Sequence, residues 1–409
     1  MDSRNAVLMG MQTERDRRPR ILLLVGTRPE AIKMAPVVLE LRAHDDEFET
    51  CLCSTGQHRE MLQQALDAFG LRPDIDLALM KREQSLVSLS ARALAALDGT
   101  MSGVQPDIVV VQGDTATAMV GALGAYYHRI PVAHLEAGLR TGDLLGPFPE
   151  EGNRRLISAI TTLHFAPTPG AGRRLQREGV PARHVLVTGN TVIDALLAIR
   201  DRLPRGRGRA RWSSPGKRLV LLTTHRRESF GRPLEDVCAA VLQLVERNPD
   251  VELIFPVHAS PFVREPVTRL LGGHPRIRLI EPLGYEEFVA LLDACHFVLT
   301  DSGGIQEEAP ALGKPVLVLR EKTERPESIK AGTSRLVGTN PRRLLRAAEE
   351  LLRNEESYLE MARAENPYGD GRAARRVVAA LRWHFGLSAH GPADFGSGPA
   401  AGASEGLVA

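Results

Sequence analysis

Acidic side chains follow two of the apolar runs in this sequence, at positions where a turn is expected. Asp114 lies in the segment QGDT, and Glu136 lies in the segment HLEAG. Because the carboxyl ends of parallel strands meet at one edge of an open α/β sheet, both carboxylates are expected to face a ligand crevice. Two carboxylates close together raise one pKa and separate the roles of acid and base. The pattern therefore predicts acid–base chemistry, with Glu150 and Glu151 as further candidates.

A glycine-marked turn later in the chain has the features of an anion site. The apolar run 297–300 continues through Ser302, Gly303 and Gly304 into a helical pattern. Such a turn presents backbone N–H groups and the positive end of a helix to a diphosphate. Glu308 lies one turn inside that helix, where its carboxylate could accept hydrogen bonds from the vicinal hydroxyls of a ribose. These features together predict a nucleotide diphosphate as the ligand.

Basic side chains near other predicted strand ends could bind the same phosphates. Arg28 lies in the turn after the first apolar run, and Lys33 projects from the helix that follows. Arg325 follows a later predicted strand, and His225 is flanked by arginines, which suits contact with a phosphate or a leaving group. Each of these residues alone is more typical of an ion pair or a solvated helix start. Their shared position at strand ends is what favours a functional site.

Short apolar runs alternate with helical patterns in two arrays. The first array opens with an apolar run at 21–25 and a helical pattern at 30–43, which form one β-α unit. Repetition of this unit predicts buried parallel strands and an α/β fold with two domains. The segment 202–216 is rich in Arg, Gly, Pro and Ser, so the interdomain connection, or a loop just after it, is expected there. The other predicted strands are 107–111, 131–135, 163–166 and 184–188 in the first array, and 217–223, 251–257, 277–281, 297–300 and 315–319 in the second.

The composition argues against several classes of function. The chain has 409 residues, which is enough for two domains with separate cores. Its 52 basic and 50 acidic residues balance, so neither nucleic acid nor a membrane is an expected partner. No stretch is apolar enough to span a bilayer. The chain carries neither the Gly-x-Gly-x-x-Gly fingerprint nor the phosphate loop of nucleotide hydrolases, which argues against NAD- and ATP-driven chemistry.

The cysteines and the two ends of the chain complete this description. Four cysteines show no metal-ligand spacing, and Cys51 and Cys53 are expected on one face of a strand. A reduced, cytoplasmic setting is the simplest account of them, and neither a metal nor another cofactor is predicted. Residues 1–19 are interpreted as a disordered leader, and residues 388–409, rich in Gly, Ala, Ser and Pro, as a disordered tail.

Eight separated motifs occur in one order along the chain. They are GTRPEAIKMAP (26–36), QHREML (57–62), EAGLRTGD (136–143), PEEGNRRL (149–156), THRRESFG (224–231), PVH (256–258), DSGGIQEEAP (301–310) and ERPE (324–327). Taken together, these motifs resemble the non-hydrolysing UDP-N-acetylglucosamine 2-epimerase family. The resemblance runs from about residue 21 to residue 385, so only the two ends of the chain lie outside it.

The resemblance implies a particular architecture and reaction. Two Rossmann-like domains would adopt a GT-B-type arrangement, with the active site in the interdomain cleft. The first domain would comprise residues 20–190 and a C-terminal crossover helix at 370–386, and the second would comprise residues 191–369. The protein would be a cytoplasmic homodimer that interconverts UDP-GlcNAc and UDP-ManNAc and supplies ManNAc for cell-surface polysaccharide.

The resemblance also implies roles for individual residues. The family's catalytic carboxylates match Asp114, Glu136 and Glu150, and its catalytic histidine matches His225. One departure is Gln112, where some members are expected to carry histidine. The matching nucleotide contacts are Arg28, Lys33, Phe288, Ser302, Gly303, Glu308 and Arg325.

Bacterial members of the family are further expected to be activated by a second UDP-GlcNAc molecule bound beside the active site. The residues that match this second site are Gln57, Glu60, Arg226 and His258.

The chemistry of the implied reaction explains why carboxylates and phosphate contacts are needed together. The C2 proton of the sugar is not next to a carbonyl, so a carboxylate could not remove it directly at a useful rate. Breaking the C1–O bond to UDP makes this proton acidic, and its removal leaves 2-acetamidoglucal. Three alternatives stay open: an epimerase that hydrolyses its substrate, a GT-B glycosyltransferase, and a non-catalytic sugar-nucleotide sensor.

Overall fold

The computed structural model divides the chain into two compact units. The first comprises the described residues up to Leu66, those in Leu71–Thr188 and those from Ala374 onward. The second comprises Asp67–Gly70 and Gly189–Ala373. The residues that the structure describes are 17–56, 59–79, 85–204, 211–224, 226 and 229–396.

A parallel sheet with helices between its strands forms the first unit. Its strands lie in the order β3-β2-β1-β4-β5-β6-β7, and every pairing between neighbours is parallel. The strands are β1 (Arg20–Val25), β2 (Glu49–Ser54), β3 (Ile75–Asp76), β4 (Ile108–Gln112), β5 (Val132–Leu135), β6 (Leu163–Ala166) and β7 (Val185–Val187). The helices are α1 (Arg28–Arg42), α2 (Arg59–Asp67), α3 (Leu86–Val104), α4 (Ala116–Tyr127), α5 (Glu150–Ile160) and α6 (Pro169–Arg177).

The central strands of the first unit are apolar on both faces. Leu22 and Leu24 of β1 lie in one buried cluster with Val109 and Val111 of β4. Leu97 of α3 packs into the same cluster, and these five side chains have essentially no exposed surface. A strand covered by helices on both faces reads as a continuous apolar run, which is why the sequence predicted β1 and β4. Their burial fixes the turns that leave their carboxyl ends.

The second unit is built in the same way. Its strands lie in the order β10-β9-β8-β11-β12-β13, again parallel throughout. They are β8 (Arg218–Thr223), β9 (Val251–Pro256), β10 (Ile277–Ile280), β11 (Phe297–Thr300), β12 (Val316–Val318) and β13 (Ser334–Leu336). The helices are α7 (Thr191–Arg202), α8 (Arg232–Arg247), α9 (Pro261–Leu271), α10 (Tyr285–Ala294), α11 (Gly303–Ala311), α12 (Pro326–Lys330), α13 (Pro341–Arg353) and α14 (Glu355–Arg363).

The core of the second unit lies between its sheet and the helices α8 and α13. Val220 and Phe255 from the strands meet Val241 of α8 and Leu344 of α13 in one buried cluster. Two parallel sheets with intervening helices are two Rossmann-like domains, so the predicted α/β class is confirmed. All four cysteines are free, and Cys53 is fully buried in β2.

The chain passes from one unit to the other earlier than the composition suggested. The boundary falls between Thr188 and Gly189, so the segment 202–216 follows the interdomain connection and does not form it. Helix α7 follows this boundary and belongs to the second unit, where Ile193, Leu196 and Ile199 are buried. An apolar helical face needs a core to cover it, and this need outweighs a run of Gly and Pro beyond the helix.

The described parts of the leader and of the tail contact the first unit. Arg17 forms an ion pair of 2.8 Å with Asp107, so the part of the leader from residue 17 onward contacts the first unit. Beyond Ser388 the chain also packs, because the Phe395 ring is only 8% exposed. Its N–H donates to the Val187 carbonyl of the edge strand β7 at 2.6 Å. The other predicted leader and tail residues lie outside the described part of the chain.

The last helix, α15 (Ala373–His384), joins the first unit from Ala374 onward. Arg376 donates to the Thr188 carbonyl at 3.1 Å, and Arg382 pairs with Glu47 at 2.8 Å. The C-terminal segment therefore returns to the domain that the N-terminal segment begins.

Candidate functional site: a carboxylate cluster and an anion-binding turn

Asp114 lies just beyond the carboxyl end of β4, next to the N-cap of α4. Helix α5 holds it from the other side, because Asn153 Nδ2 donates to the Asp114 carbonyl at 2.8 Å. The Arg154 guanidinium forms an ion pair with the Asp114 carboxylate. Burial raises the pKa of Asp114 above its ordinary value, and the Arg154 charge acts in the opposite direction. The carboxylate is therefore both desolvated and fixed in place.

Glu136 follows β5, the strand next to β4. Its backbone has φ of +64°, an uncommon conformation for a residue with a side chain, and such strain is frequent at functional sites. Its side chain is 7% exposed and forms an ion pair with Lys33 Nζ at 2.5 Å. Gln112 donates its side-chain amide to the same carboxylate oxygen. The strand ends of β4 and β5 thus share one polar network with α1.

The electrostatic influences on Asp114 show which charges lie together. Arg154 has the largest effect of any charge on the pKa of Asp114, followed by Glu136, Lys33 and Glu150. The two glutamates raise this pKa, and Lys33 lowers it. The structure therefore places Glu136, Glu150 and Lys33 within electrostatic range of Asp114. A like charge nearby favours a shared proton, so this cluster can hold an acid and a base at once.

Glu150 and Glu151 are adjacent in sequence but have different surroundings. The Glu150 Oε2 atom is buried and has no hydrogen-bond partner among the residues described. Glu151 is fully buried and accepts hydrogen bonds from the Thr141 N–H, from Arg154 at 3.1 Å and from Arg155 at 3.2 Å. Glu151 is therefore a structural carboxylate that orients Arg154. Glu150 retains the capacity to act on a ligand.

Two further residues fix the turns of the cluster. Glu30, in α1, accepts hydrogen bonds from backbone N–H groups of its own turn and from the Thr115 hydroxyl beside Asp114. His134 Nε2 lies 2.7 Å from the Gly113 carbonyl oxygen, so this nitrogen carries the proton. Sequence reasoning missed both residues. The Thr-x-x-Glu capping pattern at 27–30 would have marked Glu30 as a helix-start residue.

In the second unit, the predicted anion site is the turn between β11 and α11. Asp301 is fully buried and accepts hydrogen bonds from the Arg226 N–H at 3.1 Å and from the Ser229 hydroxyl at 2.9 Å. Ser302 is the N-cap of α11, which starts at Gly303. A Cβ atom on Gly303 would lie 3.2 Å from the Arg325 guanidinium carbon, tighter than a usual contact. Glycine thus lets Arg325 approach the start of the helix.

Arg325 belongs to an ion-pair cluster next to this turn. Its Nε donates to Glu307 at 2.7 Å, and its Nη1 donates to Glu324 at 3.0 Å. Glu324 also pairs with Arg226 at 3.2 Å and with Arg320 at 3.6 Å. Burial tends to raise the pKa of Glu324, yet the three guanidinium groups together lower it. Three guanidinium groups thus surround Glu324, next to the turn predicted to bind an anion.

Glu308 and Phe288 lie on neighbouring helices of the second unit. Glu308 is buried, and its Oε1 accepts a hydrogen bond of 3.1 Å from the Tyr285 hydroxyl. Its Oε2 lies 3.7 Å from the position of a Cβ on Gly304, in ordinary contact with the turn. Phe288 is three residues after Tyr285 in α10 and is half-buried. The anion turn, Arg325 and Glu308 are thus brought together.

The other predicted site residues are distributed as follows. His225 and Gln57 lie outside the described residues. Arg28 is the first residue of α1 and is half-buried. Glu60 is exposed in α2, and His258 is exposed after β9, where its Nδ1 accepts from the Ser260 N–H at 3.1 Å. No group of three or more His, Cys, Asp or Glu side chains in the described part could hold a metal ion.

The fold defines the class of protein. Two Rossmann-like units match the glycotransferase of kitacinnamycin with a TM-score of 0.59 at 14% identity, over 88% of this chain and 99% of that one. This likeness concerns the fold alone and supports a GT-B-type α/β protein. None of the helices described is long and apolar enough to cross a membrane.

The particular family follows from closer relatives. The family model of UDP-N-acetylglucosamine 2-epimerase matches residues 40–382, and the chain belongs to this family. The UDP-N-acetylglucosamine 2-epimerase of Yersinia pestis is 49% identical over 372 residues, which cover 89% of this chain and 99% of the relative. The UDP-GlcNAc 2-epimerase of Neisseria meningitidis, solved bound to UDP-GlcNAc, is 43% identical with a TM-score of 0.83, covering 88% and 99% of the two chains.

Proposed function

We propose that the protein interconverts UDP-GlcNAc and UDP-ManNAc without hydrolysing them, by elimination and re-addition of UDP. The observation that carries the proposal is the proximity of Glu136, Glu150 and Lys33 to Asp114, at the carboxyl end of β4 in the first unit. Family membership supplies the substrate class, since a relative binds UDP-GlcNAc.

The elimination requires a base and a stable leaving group at the same time. As the C1–O bond breaks, its electron pair leaves with UDP and positive charge develops at C1. A carboxylate then takes the C2 proton, and the C–H electron pair forms the C1–C2 double bond of 2-acetamidoglucal. Protonation of C2 from the opposite face and return of UDP to C1 give the epimer. Atoms and electrons balance without a redox cofactor or a metal.

The carboxylates of the first unit can supply both proton transfers. Asp114 and Glu136 are desolvated or paired, and Glu150 has a buried oxygen with no hydrogen-bond partner within the described ranges. One of them acts as base on one face of C2, and another acts as acid on the opposite face. Lys33 and Arg28 would stabilise the departing diphosphate, as would His225.

The second unit supplies groups that suit the nucleotide. The start of α11 at Gly303 offers backbone N–H groups to the diphosphate, and Arg325 lies against it. The Glu308 carboxylate is held by Tyr285 and could accept hydrogen bonds from ribose hydroxyls. Phe288 would contact the nucleotide beside them.

The remaining expectations of the family are part of the same proposal. The protein would be a cytoplasmic homodimer whose product supplies ManNAc for cell-surface polysaccharide. A second UDP-GlcNAc molecule would activate it through Gln57, Glu60, Arg226 and His258. The domain boundaries are proposed as 20–190 with 370–386, and 191–369.

Proton NMR of the protein with UDP-GlcNAc in deuterium oxide tests the proposal. Reversible elimination predicts UDP-ManNAc carrying deuterium at C2, together with gradual loss of the C2 proton from UDP-GlcNAc. Asp114→Asn should abolish both changes and keep UDP binding. The matched control is Asp98→Asn, because Asp98 is an exposed residue of the first unit that pairs with His128.

The other outcomes separate the alternatives. Release of free ManNAc and UDP would identify an enzyme that hydrolyses its substrate. An unchanged spectrum in spite of UDP binding would favour a glycosyltransferase without its acceptor, or a sensor. Full activity of Asp114→Asn would remove this residue from the catalytic set.

A further inference from the structure

Glu30 is a buried carboxylate for which the proposed chemistry has no use. Glu30 lies in the first turn of α1 and is only 1% exposed. Oε2 accepts hydrogen bonds from the Gly26 N–H at 3.1 Å and from the Thr27 N–H at 2.7 Å. Oε1 accepts a hydrogen bond of 2.6 Å from the Thr115 hydroxyl. A carboxylate with these three donors holds two separate segments together.

The two segments are the turns that leave β1 and β4. These strands are neighbours in the sheet, paired at Leu22 and Val109. The turn after β1 leads to Arg28, and the turn after β4 carries Asp114. Thr115 is the N-cap of α4 and also accepts from the Ala118 N–H at 3.0 Å, so its hydroxyl is used in both directions.

A second contact shows how closely the two turns fit. A Cβ on Gly26 would lie 2.2 Å from the Thr117 Oγ1 atom and 2.5 Å from the Thr55 Oγ1 atom, which leaves room for glycine only. The Thr55 and Thr117 hydroxyls are 3.0 Å apart and bonded to each other. The turn after β1 therefore packs directly against the first turn of α4, and Glu30 accepts the hydrogen bond from Thr115 in this contact.

We infer that Glu30 is a positioning residue, which holds the turn bearing Arg28 against the turn bearing Asp114. The inference rests on the proposed function, because it concerns the placement of a proposed catalytic group. A displacement of about 1 Å in a catalytic group can reduce turnover by about 100-fold. Glu30 itself does not contact the reacting atoms.

A purely structural role for Glu30 makes a different prediction. If the residue only capped α1, its loss would lower stability and leave the folded enzyme with normal turnover. If it positions Asp114, its loss lowers kcat in protein that is still folded. UDP affinity should fall much less than kcat, because the proposed nucleotide contacts of the second unit are not touched and Arg28 is only one of the proposed phosphate contacts.

The experiment compares variants on both sides of the contact. Glu30→Ala and Thr115→Val each remove the link, and each should lower kcat by about 100-fold with KM within about threefold. Glu30→Gln keeps an acceptor for the N–H groups and a donor for the Thr115 hydroxyl, so it should restore kcat to within about 10-fold of the parent. Thr115→Ser keeps the hydroxyl and should be close to the parent.

The chain offers a matched control for the loss of a helix cap. Thr168 is the N-cap of α6 in the same unit, and its hydroxyl accepts from the Ala171 N–H at 3.1 Å. Thr168→Val removes a cap without touching the two turns. Its melting midpoint should fall as that of Thr115→Val does, while its kcat should stay at the parent value.

The double variant Glu30→Ala with Thr115→Val decides whether the two residues act through one contact. A shared contact predicts a loss of kcat of about 100-fold, as in the single variants, and independent effects predict about 10,000-fold. Normal kcat in Thr115→Val would overturn the inference, even if Glu30→Ala failed to fold. A parent protein that forms no UDP-ManNAc would overturn the proposed function itself, which the same assay shows separately.

Discussion

At the scale of single residues, the first unit controls the ionisation of Asp114 through one arginine. Arg154 pairs with Asp114 and is oriented in turn by the buried Glu151, at 3.1 Å. Without this guanidinium, burial and the neighbouring carboxylates would all raise the pKa of Asp114. Sequence reasoning found Asp114 because it follows a strand. It missed Arg154, because the placement of α5 against the end of β4 is a tertiary feature.

Replacing Arg154 should change the pH profile of the enzyme. In Arg154→Gln the pKa of Asp114 should rise, since the largest opposing charge is gone, and the acidic limb of kcat/KM should move to higher pH. Arg155→Gln is the control, because Arg155 is exposed and its described ion pair is with Glu151 and not with Asp114. An acidic limb at the same pH in both variants would contradict this account.

Glu30 should make stability depend on pH in a defined direction. Burial raises its pKa to about 7, above the ordinary 4.5, so the folded state binds more protons than the unfolded state between these values. Its contribution to stability is present below about pH 4.5 and is lost as the pH rises through 7, amounting to about 3 kcal/mol at most. Denaturant unfolding of the parent and of Glu30→Gln, from pH 4.5 to 8, measures the difference. A constant difference across this range would exclude a titrating Glu30.

At the scale of elements, the ends of β4 and β5 are tied together by His134. Burial lowers the pKa of His134 to about 4, so the imidazole is neutral at pH 7 and donates through Nε2 to the Gly113 carbonyl. This bond lies one residue before Asp114 and two residues before Glu136. The turns that carry Asp114 and Glu136 are therefore joined through a strand residue.

Removing this donor should destabilise the first unit. His134→Leu leaves the Gly113 carbonyl without its imidazole donor, at a cost of about 1–3 kcal/mol. His134→Gln can place an amide N–H near the position of Nε2, so it should lose less. Urea unfolding at pH 7.5 compares the two variants. Equal losses would mean that packing of the ring, and not its hydrogen bond, is what stabilises the turn.

Elements were predicted well where burial alone determines them. Strands β1 and β4 are covered on both faces, so each appears in the sequence as an unbroken run of apolar residues. The edge strands β3 and β13 were missed, because two or three residues are too few to show a period. Contacts between elements, such as Glu30 with Thr115, depend on the register of neighbouring strands, which local patterns do not encode.

At the scale of the whole molecule, the charges balance and the two cores provide the stability. Many of the described ion pairs involve exposed side chains, such as Arg264 with Glu281, and such pairs contribute little. The sequence predicted two arrays, but it did not distinguish their connection from the segment that follows α7, because composition marks loops and not the helix faces that a core covers. The return of the chain to the first unit through α15 was expected from the resemblance alone.

Truncation should show how much the first unit depends on the returning helix. Val377, Val378 and Leu381 of α15 are at most 2% exposed, and Phe385 packs edge-on to Phe48 with ring centroids 6.5 Å apart. Ending the chain after Arg372 exposes the core that these side chains cover, with a loss of about 5 kcal/mol or more and a fall in melting midpoint of roughly 10 °C. Differential scanning calorimetry measures the change.

A second truncation, after Gly396, supplies the reference, because it keeps every contact described for α15 and for Phe395. UDP titrations of both truncated proteins distinguish an effect of the truncation on the first unit from an effect on the second. The proposed contacts with UDP in the second unit include Glu308 and Arg325, so binding should survive removal of α15 while epimerisation is lost with the first unit's packing. Loss of UDP binding in the shorter protein alone would mean that the second unit depends on the C-terminal segment for its own fold.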